Sequence, residues 1–159
     1  MGFQATVAIT PALGVAGDFA SQNPRAAVVS PDGGFIAGSA GVTVGCFAWL
    51  SSDGVTVNST GTGKPDGFVH REQQALINTF LATSGNTIPA GQPVTLMRNG
   101  DYRVTATVTG ATLRQKAFAK LADGTVQAGA AGATIAGFVE TDFVIARTCA
   151  VGELTTISL

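Results

Sequence analysis

The chain has 159 residues, a formal net charge of −1 and 12% charged side chains against 45% hydrophobic ones; soluble domains usually carry about 25% charge. Its Lys and Arg are scattered rather than clustered, so no basic stripe neutralises phosphates and nucleic acid is not an expected partner. The longest near-apolar stretch, residues 128–139, is too short and too rich in glycine to cross a bilayer, which needs about 20 apolar residues, so no membrane partner is expected either.

Residues 1–41 carry only Asp18, Arg25 and Asp32 as charges, with prolines at Pro11, Pro24 and Pro31 and recurrent glycine. The apolar anchors between them are Phe3, Val7, Ile9, Leu13, Val15 and Phe19. Neither helical nor sustained strand periodicity survives that punctuation. Ordering the backbone costs about 1–2 kcal/mol per residue, against roughly 1.5–3 kcal/mol for each large side chain fully buried. So few anchors cannot order so long a segment unaided. The expectation is an extended N-terminal arm, residues 1–41, lying on its own body or on a neighbour, followed by a domain over residues 42–159. That organisation suits an assembly protein better than a free-standing enzyme. No Lys or Arg precedes Arg25, and Pro11 and Gly14 interrupt the apolar run, so no signal peptide is expected and folding is expected in a reducing cytosol. Cys46 and Cys149 then read as small hydrophobes rather than a disulfide.

From Val42 onward the chain reads as short strands. Val42 to Leu50 is apolar on both faces, as in a strand covered on two sides. Ser52-Asp53-Gly54 is a hairpin turn leading to the alternating Val55 and Val57, and residues 60–67 form a loop. Residues 68–71 read as a strand, and residues 72–81 as a short irregular or helical piece. Ile88-Pro89-Ala90-Gly91 turns into Val94 to Met97, and Arg98-Asn99-Gly100-Asp101 reads as a hairpin. Tyr102, Val104, Ala106 and Val108 then alternate with Arg103, Thr105, Thr107 and Thr109, the pattern of a half-buried antiparallel strand. Residues 118–127 form a hairpin turning at Asp123-Gly124, and residues 134–146 and 153–159 close the domain around Gly152. Short strands at regular spacing indicate an all-β fold, a small antiparallel β-barrel or jelly roll carrying the extended arm.

No motif carries catalytic chemistry. Gly61-Thr62-Gly63-Lys64 imitates the end of a phosphate loop, but Asn58 stands where the first glycine belongs and Pro65 where the magnesium-binding Ser or Thr belongs. His70, the single histidine, lies beside Arg71 and Glu72 and reads as a hydrogen-bonded structural group; no further ligands at metal spacing lie near it. Glu140 and Asp142 share one strand face and read as a solvated surface rather than a carboxylate pair. Trp49, a candidate for sugar stacking only if exposed, has neighbours that bury it. No cofactor, metal or catalytic residue is expected.

Gly17-Asp18-Phe19-Ala20-Ser21, Asn23-Pro24-Arg25 and Gly67-Phe68-Val69-His70-Arg71-Glu72-Gln73-Gln74-Ala75-Leu76-Ile77 resemble segments of the structural cement (head decoration) proteins of tailed bacteriophages. Residues 87–96, 129–143 and 152–155 continue the resemblance, which spans nearly the whole chain in order. The pieces that depart from it, residues 51–62 and 98–116, read as loops or exposed strands. The resemblance implies a β body bound in many copies to the outer surface of an icosahedral head, bridging adjacent major capsid proteins, after synthesis in the host bacterial cytoplasm. It implies the major capsid protein as partner and no catalysis; a self-associated dimer or trimer would suit a capsid lattice, and a β-module of a phage tail or baseplate is the alternative reading. Phe3, Val7, Phe19 and Arg25 are the expected docking residues of the arm, with His70 and Arg71 as a second, weaker pair.

Overall fold

The computed structural model describes residues 13–72 and 85–159, so the expected irregular or helical piece after Glu72 lies outside the described residues. Among the described residues there are fourteen strands and no helix. In chain order these are β1 (Ala26–Ala27), β2 (Phe35–Ala37), β3 (Val42–Thr43), β4 (Phe47–Leu50), β5 (Thr56–Asn58), β6 (Gly67–Val69) and β7 (Thr87–Ile88). They continue as β8 (Pro93–Val94), β9 (Leu96–Asn99), β10 (Asp101–Thr105), β11 (Lys116–Lys120), β12 (Val126–Gly129), β13 (Phe138–Ile145) and β14 (Leu154–Ser158). A seven-stranded sheet runs β1-β9-β6-β4-β5-β2-β8, a five-stranded sheet runs β10-β14-β13-β11-β12, and β3 pairs with β7. The fold is all-β with none of its sheets closed, in keeping with a small β-sandwich or jelly-roll-like fold, and it is not antiparallel throughout because β2 and β5 pair in parallel. An isolated parallel bridge joins Ala106, just beyond β10, to Val126 of β12.

Period-two alternation explains the layers. Phe47, Trp49, Phe68 and Met97 join one core with Tyr102, Val104, Phe143 and Ile157 of the other sheet. Ring centroids lie 4.8 Å apart for Phe68 and Tyr102 and 5.5 Å apart for Phe47 and Phe143. The intervening Ala48, Val69 and Leu96 join a second core with Phe35, Val42, Val57, Ile88 and Val94. Strands β4 and β6 and the first half of β9, Leu96 and Met97, are therefore buried on both faces, which accounts for the doubly apolar reading of residues 42–50. That run is not one strand, however. It breaks at Gly45, whose N–H donates to Val69 O at 2.8 Å.

The Asp-Gly turns form as expected. Asp53 accepts the Val55 and Thr56 N–H groups, and Asp123 accepts the Thr125 N–H. The Asn99-Gly100 turn does not make a hairpin. β9 pairs with β6 and β1, whereas β10 pairs with β14, so Gly100 is the corner at which the chain leaves one sheet for the other. A side chain there would meet the Tyr102 hydroxyl at 2.7 Å, at a φ of +132°. β10 also corrects the reading of residues 98–116 as loops or exposed strands, because Tyr102 and Val104 are fully buried. The chain's last strand, β14, is held between β10 and β13.

Candidate partner-binding surface

Of the described part of the expected arm, residues 13–28 lie along the body as a strap, whereas Phe35–Ala37 form β2 inside the seven-stranded sheet, with Phe35 and Ala37 in its core. The strap's central stretch adds to the outer edge of β10: Gly17 N–H donates to Arg103 O at 2.7 Å, Arg103 N–H to Asp18 O at 2.9 Å, and Ala20 N–H to Asp101 O at 2.9 Å. Further on, β1 pairs with β9, and Val28 N–H donates to Leu96 O at 2.8 Å. The strap thus crosses from an edge of one sheet to an edge of the other. Gly17 makes the crossing feasible. Its φ is +92°, and a Cβ there would stand 2.7 Å from Val44 and 3.1 Å from the Arg71 backbone nitrogen.

Two side-chain anchors hold the strap. Asp101 accepts hydrogen bonds from the Ser21 hydroxyl at 2.5 Å and the Asn23 amide at 2.6 Å. Partial burial pushes the Asp101 carboxyl upward, but bonds from Ser158, Ser21 and Asn23 outweigh it and hold it below the usual aspartate range. Phe19 is the second anchor. It stacks on His70 with centroids 4.8 Å apart, tilts against Tyr102 at 5.7 Å, and has the Arg25 guanidinium 3.8 Å above its face. Burial pushes the Tyr102 phenol up to about 12, so it remains a donor, to Asn99 O at 2.7 Å.

Of the residues expected to bind a partner, Phe19, Arg25 and His70 form one cluster. Exposed Arg71 lies beside it and donates its N–H to Gly17 O at 2.8 Å. Phe3 and Val7 lie outside the described residues. His70 is buried, with Nε2 2.5 Å from Glu72 Oε1, as expected of a hydrogen-bonded structural group. Asp101, Tyr102, Ser21 and Asn23 were not foreseen as members. Asp101 follows a dipeptide that signals a turn, and only the sheet crossing brings it to the strap. No group of three or more His, Cys, Asp and Glu suited to a metal occurs among the described residues. Glu140 and Asp142 are engaged separately, Glu140 by the Gly132 N–H at 2.7 Å and Asp142 by Lys64 at 2.6 Å. Trp49 is buried, with its indole N–H donating to Gly63 O at 2.9 Å.

A family model described as XM1 gp53 minor capsid protein matches residues 3–159. The chain belongs to this family. Among solved structures, a chain of the capsid of Myoviridae phage XM1 has the same fold, with a TM-score of 0.67 at 15% identity, over 99% of this chain and 97% of that one. Comparison with curated proteins returns no match. The chain is accordingly a phage capsid-associated structural protein.

Two surfaces of this minor capsid family member remain beside the strap. Val108, Leu113 and Val151, each more than half exposed, come from two loops that meet where Ala111 pairs with Cys149. A cleft of about 360 Å³ opens between the sheets, lined among others by Phe47, Met97, Phe143 and the Lys64–Asp142 ion pair. That pair is largely solvated, so it adds little to stability.

Proposed function

We propose that this chain is a capsid decoration protein: it binds the outer surface of the icosahedral head and stabilises the shell by bridging adjacent major capsid proteins. The observation that carries the reading is the match of residues 3–159 to a minor capsid protein family. The chemistry of the surface supports it. A chain with 12% charged residues presents threonine, serine, backbone and scattered apolar groups, which pack against neighbours with few ions to desolvate. The strap and the Phe19 cluster hold the leader against the body, and Phe3 and Val7 upstream of it, with exposed Arg25 and Arg71, supply contacts to the capsid. The apolar loop end at Val108, Leu113 and Val151 provides a second contact, so that one copy spans two capsid subunits, and copies of this chain associate as a dimer or trimer. A ligand that binds only the assembled shell opposes its disassembly by mass action.

The test adds the purified chain to heads that lack it, followed by cryo-electron microscopy and thermal release of the genome. The expected result is ordered density over the outer surface at every equivalent lattice position, touching two capsid subunits, with release shifted to higher temperature. Density confined to the tail, to one vertex or to the interior would overturn the reading. So would bound heads whose release temperature is unchanged.

A further inference from the structure

We propose that the strap is exchangeable: when copies of this chain are crowded together, residues 13–28 of one copy seat on β9 and β10 of a second copy.

The strap is joined to the body by a segment made to pivot. Val29 is 92% exposed, and residues 29–33 are all exposed, with local hydrogen bonding from Gly34 N–H to Pro31 O at 3.0 Å. A Cβ built on Gly33 or Gly34 would meet nothing within 4 Å. The segment therefore lies free of the body, and its path can change without breaking packing.

The contacts the strap makes are transferable. They are main-chain bonds to Arg103, Asp101 and Leu96, the Asp101 clasp on Ser21 and Asn23, and the Phe19 ring on His70 and Tyr102. None depends on whether donor and acceptor belong to the same copy. A strap that leaves uncovers two sheet edges and the apolar seat of Phe19, and exposed edges seek another strand. The occupant that satisfies all of them, including the side-chain-free approach at Gly17, is a second copy's strap. Exchange then conserves every contact and turns only on hinge geometry and concentration. A short tether gives an effective concentration on the order of millimolar, so the closed form prevails in dilute solution and exchange sets in as copies are crowded to comparable levels.

Ala26 and Asn99 supply the test. They are exposed Cα partners in the β1–β9 pair, beside the register shift between Ala26 and Ala27, and a disulfide bridges Cα atoms up to about 6.8 Å apart. Full-length A26C and N99C are made separately and together, each with Cys149→Ser to remove the half-buried native thiol. The double variant, oxidised in dilute solution, is expected to close on itself. The two single variants, mixed and oxidised at about 1 mM, are expected to give an interchain A26C–N99C disulfide that grows with concentration, while neither alone cross-links to the same extent. Sedimentation of the unaltered chain is expected to show a matching monomer–dimer equilibrium. The proposal is overturned if the chain stays strictly monomeric to that concentration. It is equally overturned if a dimer forms without the mixed disulfide while the double variant closes, or if the double variant does not close at all.

Discussion

Phe19→Ala removes the ring that carries the strap's apolar anchorage. Each aromatic contact, to His70 at 4.8 Å and to Tyr102 at 5.7 Å, is worth about 0.5–1.5 kcal/mol. The Arg25 guanidinium over the ring adds roughly 0.5–1 kcal/mol at an exposed site. Half-burial of a phenylalanine contributes about half of the 1.5–3 kcal/mol of full burial. These contributions share one ring and do not simply add, so the expected loss is about 2–3 kcal/mol. The strap packs on the body without entering the double core, so the loss is expected as local opening rather than global unfolding. The assay is amide hydrogen exchange at Gly17, Ala20 and Arg103, whose N–H groups form the strap's bonds to β10. At about 1.4 kcal/mol per tenfold, their exchange should quicken by about 30- to 100-fold. Phe47, whose N–H donates to Gly124 O in the core, should be unaffected. Unchanged strap amides would refute the anchoring role of Phe19. An equal loss at Phe47 would refute the strap as a separately opening unit.

The Asp101 clasp has a pH signature. Its folded carboxyl titrates below the usual range, so its stabilisation is present above the unfolded value of about 3.9 and is lost as pH falls through the lower folded value. Protection of the Ala20 amide should therefore fall on acidification below about pH 4, and Asp101→Asn should flatten that dependence and lower protection at neutral pH. Gly61→Ala would drive a Cβ to within 2.2 Å of the Trp49 ring; overpacking of this kind costs about 1–3 kcal/mol, read as a lower Tm with a shifted Trp49 emission. Burial, then the nearby Asp123 charge, pushes the Cys46 thiol up to about 12. An alkylating reagent at pH 8 should therefore modify Cys149 alone in the native protein, with Cys46 reacting only after denaturation, as mass spectrometry of peptides would show.

The features legible from sequence were the ones that neighbouring residues impose on one another. Alternation along Tyr102, Val104 and Ala106 marks a strand, and all three side chains are buried. Asp53-Gly54 and Asp123-Gly124 mark turns because the aspartate carboxylate bonds to amides two or three residues on. The same local chemistry at Asn99-Gly100 signals a turn but not which strands flank it in a sheet, and there it makes a corner between sheets. Phe19, Arg25 and His70 lie in segments that resemble those of cement proteins, but nothing local in the sequence shows that they meet. Asp101 and Tyr102, which complete that cluster, carry no local mark.

The chain's own order of residues thus determined its all-β character, its turns and the weakly charged leader, since each depends on side-chain type and short-range backbone preference. The three-dimensional arrangement decided the rest: that Gly100 separates two layers, that Gly45 divides an apolar run, and that residues 17–20 complete the edge of β10. Strand pairing and burial join groups some eighty positions apart, such as Ser21 and Asp101. Their free energy depends on which apolar faces leave water together, a quantity no short stretch of sequence contains.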